Sequence, residues 1–177
     1  FIKYGPITVA TGRPETMFGD VAVAVNPKDA RYKNLIGKEV PLPLTDRKIP
    51  VIADDLVDIK FGTGAVKVTP AHDPLDFEIG QKHNLQTIQA IDFRGKLNEI
   101  TGIYSGLNIE ESRAKIVEDL EKLGVIEKID REYKHTVSSC YKCNRTMQPM
   151  VLDNQWFVKM ATLRDLAVKA VKRKKIV

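Results

Sequence analysis

The stretch Gly62-Thr-Gly-Ala-Val-Lys-Val-Thr-Pro-Ala-His-Asp-Pro-Leu-Asp76 reads as a strand that runs directly into the start of a helix. In its first half Val66 and Val68 alternate with Ala65, Lys67 and Thr69. A two-residue period sends the valines to one face and Lys67 with Thr69 to the other. Pro70 ends the strand. Asp73-Pro74 has the form of a helix N-cap followed by proline at the first helical position, and Asp76, three residues on, has capping-box spacing. Both carboxylates then belong to one helix N-terminus, where the dipole and unpaired amides favour the ionised form, the form that receives an ammonium group. Each residue alone also has an ordinary reading, since aspartates cap helices without further function and a lone strand lysine is commonly solvated.

Outward from this junction, Ile7-Thr-Val-Ala10 is expected to be a short strand, followed by a loop through Gly12 and Pro14. A second strand, solvent-facing on one side, is expected over Asp20–Val25. Residues 28 to 60 hold short apolar pieces interrupted by proline or glycine at 27, 37, 41, 43 and 50, a pattern that suits meandering β-structure better than helices. The clearest helical pattern is 109–123, with Asn108 and Glu111 as the N-cap pair, Ile116, Val117, Leu120 and Leu123 as the apolar stripe, and Gly124 as the stop. A second helical pattern covers 157–175 through Met160, Leu163, Leu166, Ala167 and Val171. The expected class is α+β, a β-barrel-like core decorated with helices. Residues 1–135 would form the barrel core, 136–160 a return segment, and 161–177 a basic C-terminal helix.

A chain of 177 residues is long enough to bury a real core, and its 43% hydrophobic and 29% charged residues are ordinary for a globular domain. No apolar run has the length of a membrane span and the N-terminus lacks the plan of a signal peptide, so the expectation is a cytoplasmic protein with no membrane partner. Starting at Phe1 and ending just after a basic helix, the chain reads as part of something longer. Much of the net charge of +5 gathers at Lys169, Lys172, Arg173, Lys174 and Lys175, which either solvate a helix face or meet phosphate.

Both cysteines lie in Cys140-Tyr-Lys-Cys143, the spacing with which one turn offers two thiolates to zinc. Structural zinc takes four ligands, and His135, five residues before the pair, does not have second-pair spacing. This is half a site, so zinc is expected only in an intact parent; a redox pair and two unligated thiols are the alternatives.

Arg13-Pro-Glu-Thr16 with Met17-Phe-Gly-Asp20, the segment 62–76, and Cys140 through Gln155-Trp-Phe-Val-Lys-Met160 together resemble the editing domain of valyl-tRNA synthetase, in order and over nearly the whole chain. The isoleucyl versions carry different first and second loops. The leucyl versions share Pro70-Ala-His-Asp73 but usually lack Lys67-Val-Thr69. One departure is Gly12, where the family often has a second threonine; it weakens any hydroxyl cluster in that loop but not Thr16 itself. The adenylation motifs His-Ile-Gly-His and Lys-Met-Ser-Lys-Ser are absent, so aminoacylation by this chain is not expected.

The resemblance implies hydrolysis of threonine esterified to the 3′ end of tRNA(Val), with the rest of the parent synthetase as partner and no cofactor for editing. An apolar synthetic site rejects threonine only ~100-fold against valine, a magnitude already established for this enzyme class and not obtained from this chain. A hydrolytic site that spares valine has to offer polar groups that only a substrate hydroxyl satisfies. By resemblance, Lys67, Thr69 and Asp73 take that role, Asp76 holds the α-ammonium, and Arg13 and Thr16 line the pocket, Asp76 and Thr16 being the expected catalytic pair. Phe61 either stacks on the terminal adenosine or is a core aromatic. No Ser-His-Asp or Cys-His arrangement is legible. That leaves water as the nucleophile, positioned largely by bound substrate, with His72 as general base a minor option. A leucyl-type editing esterase with an apolar pocket and a non-catalytic tRNA-docking or zinc-ribbon module are the competing readings.

Overall fold

The computed structural model describes all residues except His135, Asp153, Ile176 and Val177. Among the described residues six strands and three α-helices follow in the order β1 (Ile2–Tyr4), β2 (Ile7–Val9), β3 (Ala22–Val25), β4 (Glu39–Pro41), β5 (Lys48–Ala53), β6 (Ala65–Val68), α1 (Pro74–Lys82), α2 (Ile109–Lys122) and α3 (Ala161–Lys172). Two 3-10 segments, Pro14–Gly19 and Glu99–Tyr104, lie between them. The class is α+β, as expected. The pairings of the described strands make an antiparallel β1–β2 ribbon and a four-stranded sheet in the order β4-β5-β3-β6; no closed barrel is traced by them.

β3 pairs in parallel with β5 and antiparallel with β6, in a register that sets Val23 against Lys67 and Ala22 against Val68. The expectation that β3 faces solvent on one side is wrong, because all four of its residues are buried. Val23 and Val25 join a core with Tyr4, Ile7, Met17, Ile116 and Leu120, while Ala22 and Ala24 face a second cluster with Val57, Val68 and Ile79. Helices therefore cover the sheet on both faces, α2 through Ile116 and Leu120 and α1 through Ile79. Small and β-branched residues suit a strand packed on both sides.

α2 starts where expected, with Asn108 Oδ1 accepting from the Glu111 amide at 2.9 Å. Leu123 is 55% exposed and lies beyond the last helical residue, whereas Ser112 is fully buried and donates to the Ile109 carbonyl. The stripe toward the core is thus Ser112, Ile116 and Leu120, with the i, i+4 spacing that aligns side chains on one face. Gly124 takes φ +71°, the left-handed conformation that ends a helix, and lets Val125 accept from the Lys3 amide on the edge of β1. α3 is shorter than 157–175 and has no buried residue; Met160, Leu163, Leu166 and Val171 are all more than half exposed. No described helix is long and apolar enough to cross a membrane.

Candidate active site

β6 delivers Lys67 and Thr69 to the same side, as the two-residue period requires. Lys67 is nearly buried, and each N–H of its ammonium has an acceptor: Asp20 Oδ1 at 3.0 Å, Thr16 Oγ1 at 3.0 Å and Thr69 Oγ1 at 2.5 Å. Asp20 is fully buried. Its Oδ1 also accepts from the Thr69 hydroxyl at 2.6 Å, and its Oδ2 accepts from the Tyr4 hydroxyl at 2.8 Å. Burial pushes the Asp20 carboxyl up from its ordinary range, against the pull of the Lys67 charge and of the bonds from Thr69, Lys67 and Tyr4. Thr16 donates its own proton to the Arg13 carbonyl at 3.0 Å.

α1 begins at the anticipated cap: Asp73 Oδ1 accepts from the amides of Leu75 at 2.8 Å and Asp76 at 3.2 Å, with Pro74 at the first helical position. The capping box is not closed. Asp76 turns its carboxylate away from the cap and toward β6, accepting from the Thr69 amide at 2.8 Å. The helix start favours an ionised Asp76, as expected, but burial works against it, so ionisation is completed only near neutral pH. Burial raises the Asp76 carboxyl to about 6, although the Lys67 charge and the Thr69 amide pull the other way. Gly80, one turn on, lies so close to Pro70 that a Cβ there would stand 2.8 Å from its ring, so α1 rests directly on the end of β6.

His72 is buried, and its Nε2 accepts from the Ala90 amide at 2.9 Å. The neutral ring then carries its proton on Nδ1, which is buried and faces the Pro149 carbonyl without a hydrogen bond of normal geometry. Burial, then the charges of Arg13 and Lys67, lower the imidazole to about 4, with the Pro149 carbonyl and Glu15 opposing. With its Nε2 lone pair engaged by the Ala90 amide, the His72 ring directs no free lone pair toward the cavity.

Arg13 reaches the His72 carbonyl at 3.0 Å, the Gln148 side chain and Glu15 at 3.4 Å. Glu15 is fully buried and is gripped from α2 by Arg113 at 2.9 and 3.0 Å. Phe61 is 57% exposed, which removes the core-aromatic reading and puts the ring at the rim. A cavity of about 790 Å³ brings together Arg13, Thr16, Phe61, Lys67, Thr69, Asp73 and Asp76, every pocket residue the sequence singled out.

Cys140 and Cys143 sit outside this cavity, in a tight turn where the Asn144 amide donates to the Cys140 carbonyl at 2.8 Å. Amide groups of Cys143 and Lys142, with the Cys143 side chain, pull the Cys140 thiol below its ordinary value. Among the described residues no group of three or more metal-ligating side chains exists, and Cys140 and Cys143 stand as a pair; His135 lies outside the described residues.

A model of the family described as "Leucyl-tRNA synthetase, editing domain" matches residues 28–121, more than half of the chain. The chain belongs to this editing-domain family. Over 170 residues, 96% of its length, the editing domain is 53% identical to a valine–tRNA ligase of Petrotoga mobilis, and over 166 residues 55% identical to one of Carboxydothermus hydrogenoformans. A third such ligase, from Thermotoga maritima, is 54% identical over 170 residues. The chain spans about a fifth of the length of these relatives, 19% of each.

Five residues of the editing domain's site escaped the sequence reading: Tyr4, Asp20, Glu15, Arg113 and Gln148. Asp20 was legible as the acid that opens an otherwise apolar strand, and Glu15 as the acid of the first loop. Neither has a local pattern that announces burial. Their most distant charged partners, Lys67 for Asp20 and Arg113 for Glu15, lie 47 and 98 residues away in sequence and meet them only through the fold.

Proposed function

We propose that this domain hydrolyses the ester joining threonine to the terminal ribose of tRNA(Val), within a parent valyl-tRNA synthetase whose fidelity it protects. The observation that carries the reading is the polar cluster of Lys67, Thr16 and Thr69 on the cavity wall, bound from behind by the buried Asp20, which an apolar substrate would leave unsatisfied. Asp76 holds the α-ammonium, and Asp73 and Thr69 meet the side-chain hydroxyl. Arg13 and Thr16 shape the wall, Lys67 fixes the hydroxyls, and Phe61 stacks on the terminal base. Water adds to the ester carbonyl, the carbon–oxygen bond to the ribose breaks, and threonine leaves as the free acid while the ribose hydroxyl is restored. Catalysis comes from positioning, with the adjacent ribose hydroxyl of the substrate helping to orient the water. No cofactor takes part. In the intact parent we place a structural zinc at Cys140 and Cys143, completed by two ligands from elsewhere.

The test is deacylation of threonyl-tRNA(Val) and valyl-tRNA(Val) by this chain, side by side. The threonyl ester should be cleaved at least tenfold faster, given ~1–3 kcal/mol for each polar group left unpaired by valine, and Asp76→Ala should abolish the reaction. Equal rates would remove the polar-pocket account. The family model's description favours one other reading, a leucyl-type esterase, for which norvalyl and isoleucyl esters would be cleaved faster than threonyl. Binding of tRNA with no hydrolysis of any ester would leave only a docking module.

A further inference from the structure

We propose that Asp20 is the positioning residue that makes the cavity floor a surface of hydrogen-bond acceptors, so that the domain selects substrate side chains able to donate. The inference rests on the deacylase reading above and adds how the hydroxyl is read.

The argument follows the protons. The Thr69 hydroxyl spends its proton on Asp20 Oδ1 at 2.6 Å, and the Thr16 hydroxyl spends its own on the Arg13 carbonyl at 3.0 Å. Both oxygens also accept from Lys67. A hydroxyl has one proton and two lone pairs, so each threonine has one lone pair left and nothing to donate. Lys67 has no N–H left either, since its three are taken by Asp20, Thr16 and Thr69. Lys67 therefore does not donate to a substrate without giving up a bond inside a buried cluster, a costly exchange. Asp73 and Asp76 add carboxylate oxygens, which accept only. The remaining face is complementary to a hydroxyl and an ammonium, and offers nothing to a methyl group.

Asp20 holds this polarity in place. Its Oδ1 is the atom that takes both the Thr69 proton and a Lys67 proton, and Tyr4 anchors its Oδ2 from β1 at 2.8 Å. Being fully buried, Asp20 does not touch substrate; it acts through Thr69 and Lys67.

The experiment measures kcat and KM of this chain and its Asp20→Asn variant on three esters of tRNA(Val): threonyl, valyl, and 2-amino-3-fluorobutanoyl, whose fluorine matches the hydroxyl in size but donates nothing. Asparagine fits the same volume, and with its oxygen kept on the Tyr4 hydroxyl its amide faces Thr69, donates there and frees the Thr69 proton, so the fold is expected to survive while the floor changes polarity; thermal melting checks this. Wild type should cleave the threonyl ester at least tenfold faster than the fluorinated one, which should behave like valyl. Asp20→Asn should lower the threonyl-to-valyl ratio about tenfold or more, with the valyl rate little changed. Thr69→Val should add little to that loss when combined with Asp20→Asn, because the two act as one unit. If Asp20→Asn fails to fold, Tyr4→Phe, which frees Oδ2 alone, carries the same prediction at smaller size. A fluorinated ester cleaved like threonyl, or an unchanged ratio in a folded variant, overturns the inference while the deacylase reading stands. Wild type inert on every ester overturns both.

Discussion

At the scale of single residues, Asp76 carries a measurable conflict between folding and function. Its carboxyl is raised to about 6 from an ordinary 3.8 by burial. A raised carboxyl opposes folding once it must ionise: the cost is absent below about pH 3.8, grows from there to about pH 6, and is complete above. A shift of about two units corresponds to about 3 kcal/mol. Asp76→Asn keeps an acceptor for the Thr69 amide and removes the charge. The variant should therefore be more stable than wild type at pH 8, by up to about 3 kcal/mol in denaturant titrations, with the difference vanishing below about pH 4. The same carboxylate must be ionised to hold an ammonium, so kcat/KM for the threonyl ester, corrected for spontaneous hydrolysis, should rise with pH through about 6 and then level off. The sequence put Asp76 at the helix start but did not show how far burial would raise its carboxyl. Position at a helix start is written locally, whereas burial depends on what the fold packs over that helix. His72 teaches the same lesson: proximity to the site was legible, but the Ala90 amide that consumes its lone pair comes from 18 residues away.

At the scale of elements, the junction of β6 and α1 is the most legible part of the molecule because both its signals are local. Strand alternation aims Lys67 and Thr69 together, and the Asp73-Pro74 pair starts the helix where expected. What the pattern could not reveal is how tightly α1 sits on the strand end. Gly80 meets Pro70 with no room for a methyl group, the nearest ring carbon lying 2.8 Å from a built Cβ. Gly80→Ala should push α1 outward at a cost of about 1–3 kcal/mol and lower threonyl deacylation, since Asp76 rides on the preceding turn. A variant with wild-type melting temperature and rate would show that α1 accommodates the methyl group freely. α2 shows the limit of stripe reading. Ile116 and Leu120 were correctly assigned inward, yet Leu123 faces solvent and Ser112 took the inward place, because the helix stops before Leu123 and Ser112 satisfies its hydroxyl on the Ile109 carbonyl.

At the scale of the whole molecule, the core closes without α3. None of its residues is buried, so removing residues 161–177 should change the unfolding free energy by less than about 0.5 kcal/mol, as surface changes do. A drop of several degrees in melting temperature would show that its apolar stripe supports the domain. The class α+β was readable from the order of strand and helix patterns, but strand pairing was not: β3 lies between β5 and β6, across connections that a single sequence leaves open. The polar cluster at the floor spans that topology, drawing Tyr4 from β1, Thr16 from the first 3-10 segment, Asp20 from the edge of β3, and Lys67 from β6. Its members settle one another's protons before any substrate arrives, which makes the readout a property inherited as a block. Changing one member alone strands a buried charge or proton at a cost in stability, so drift toward a different amino acid is easier through paired substitutions than through single ones.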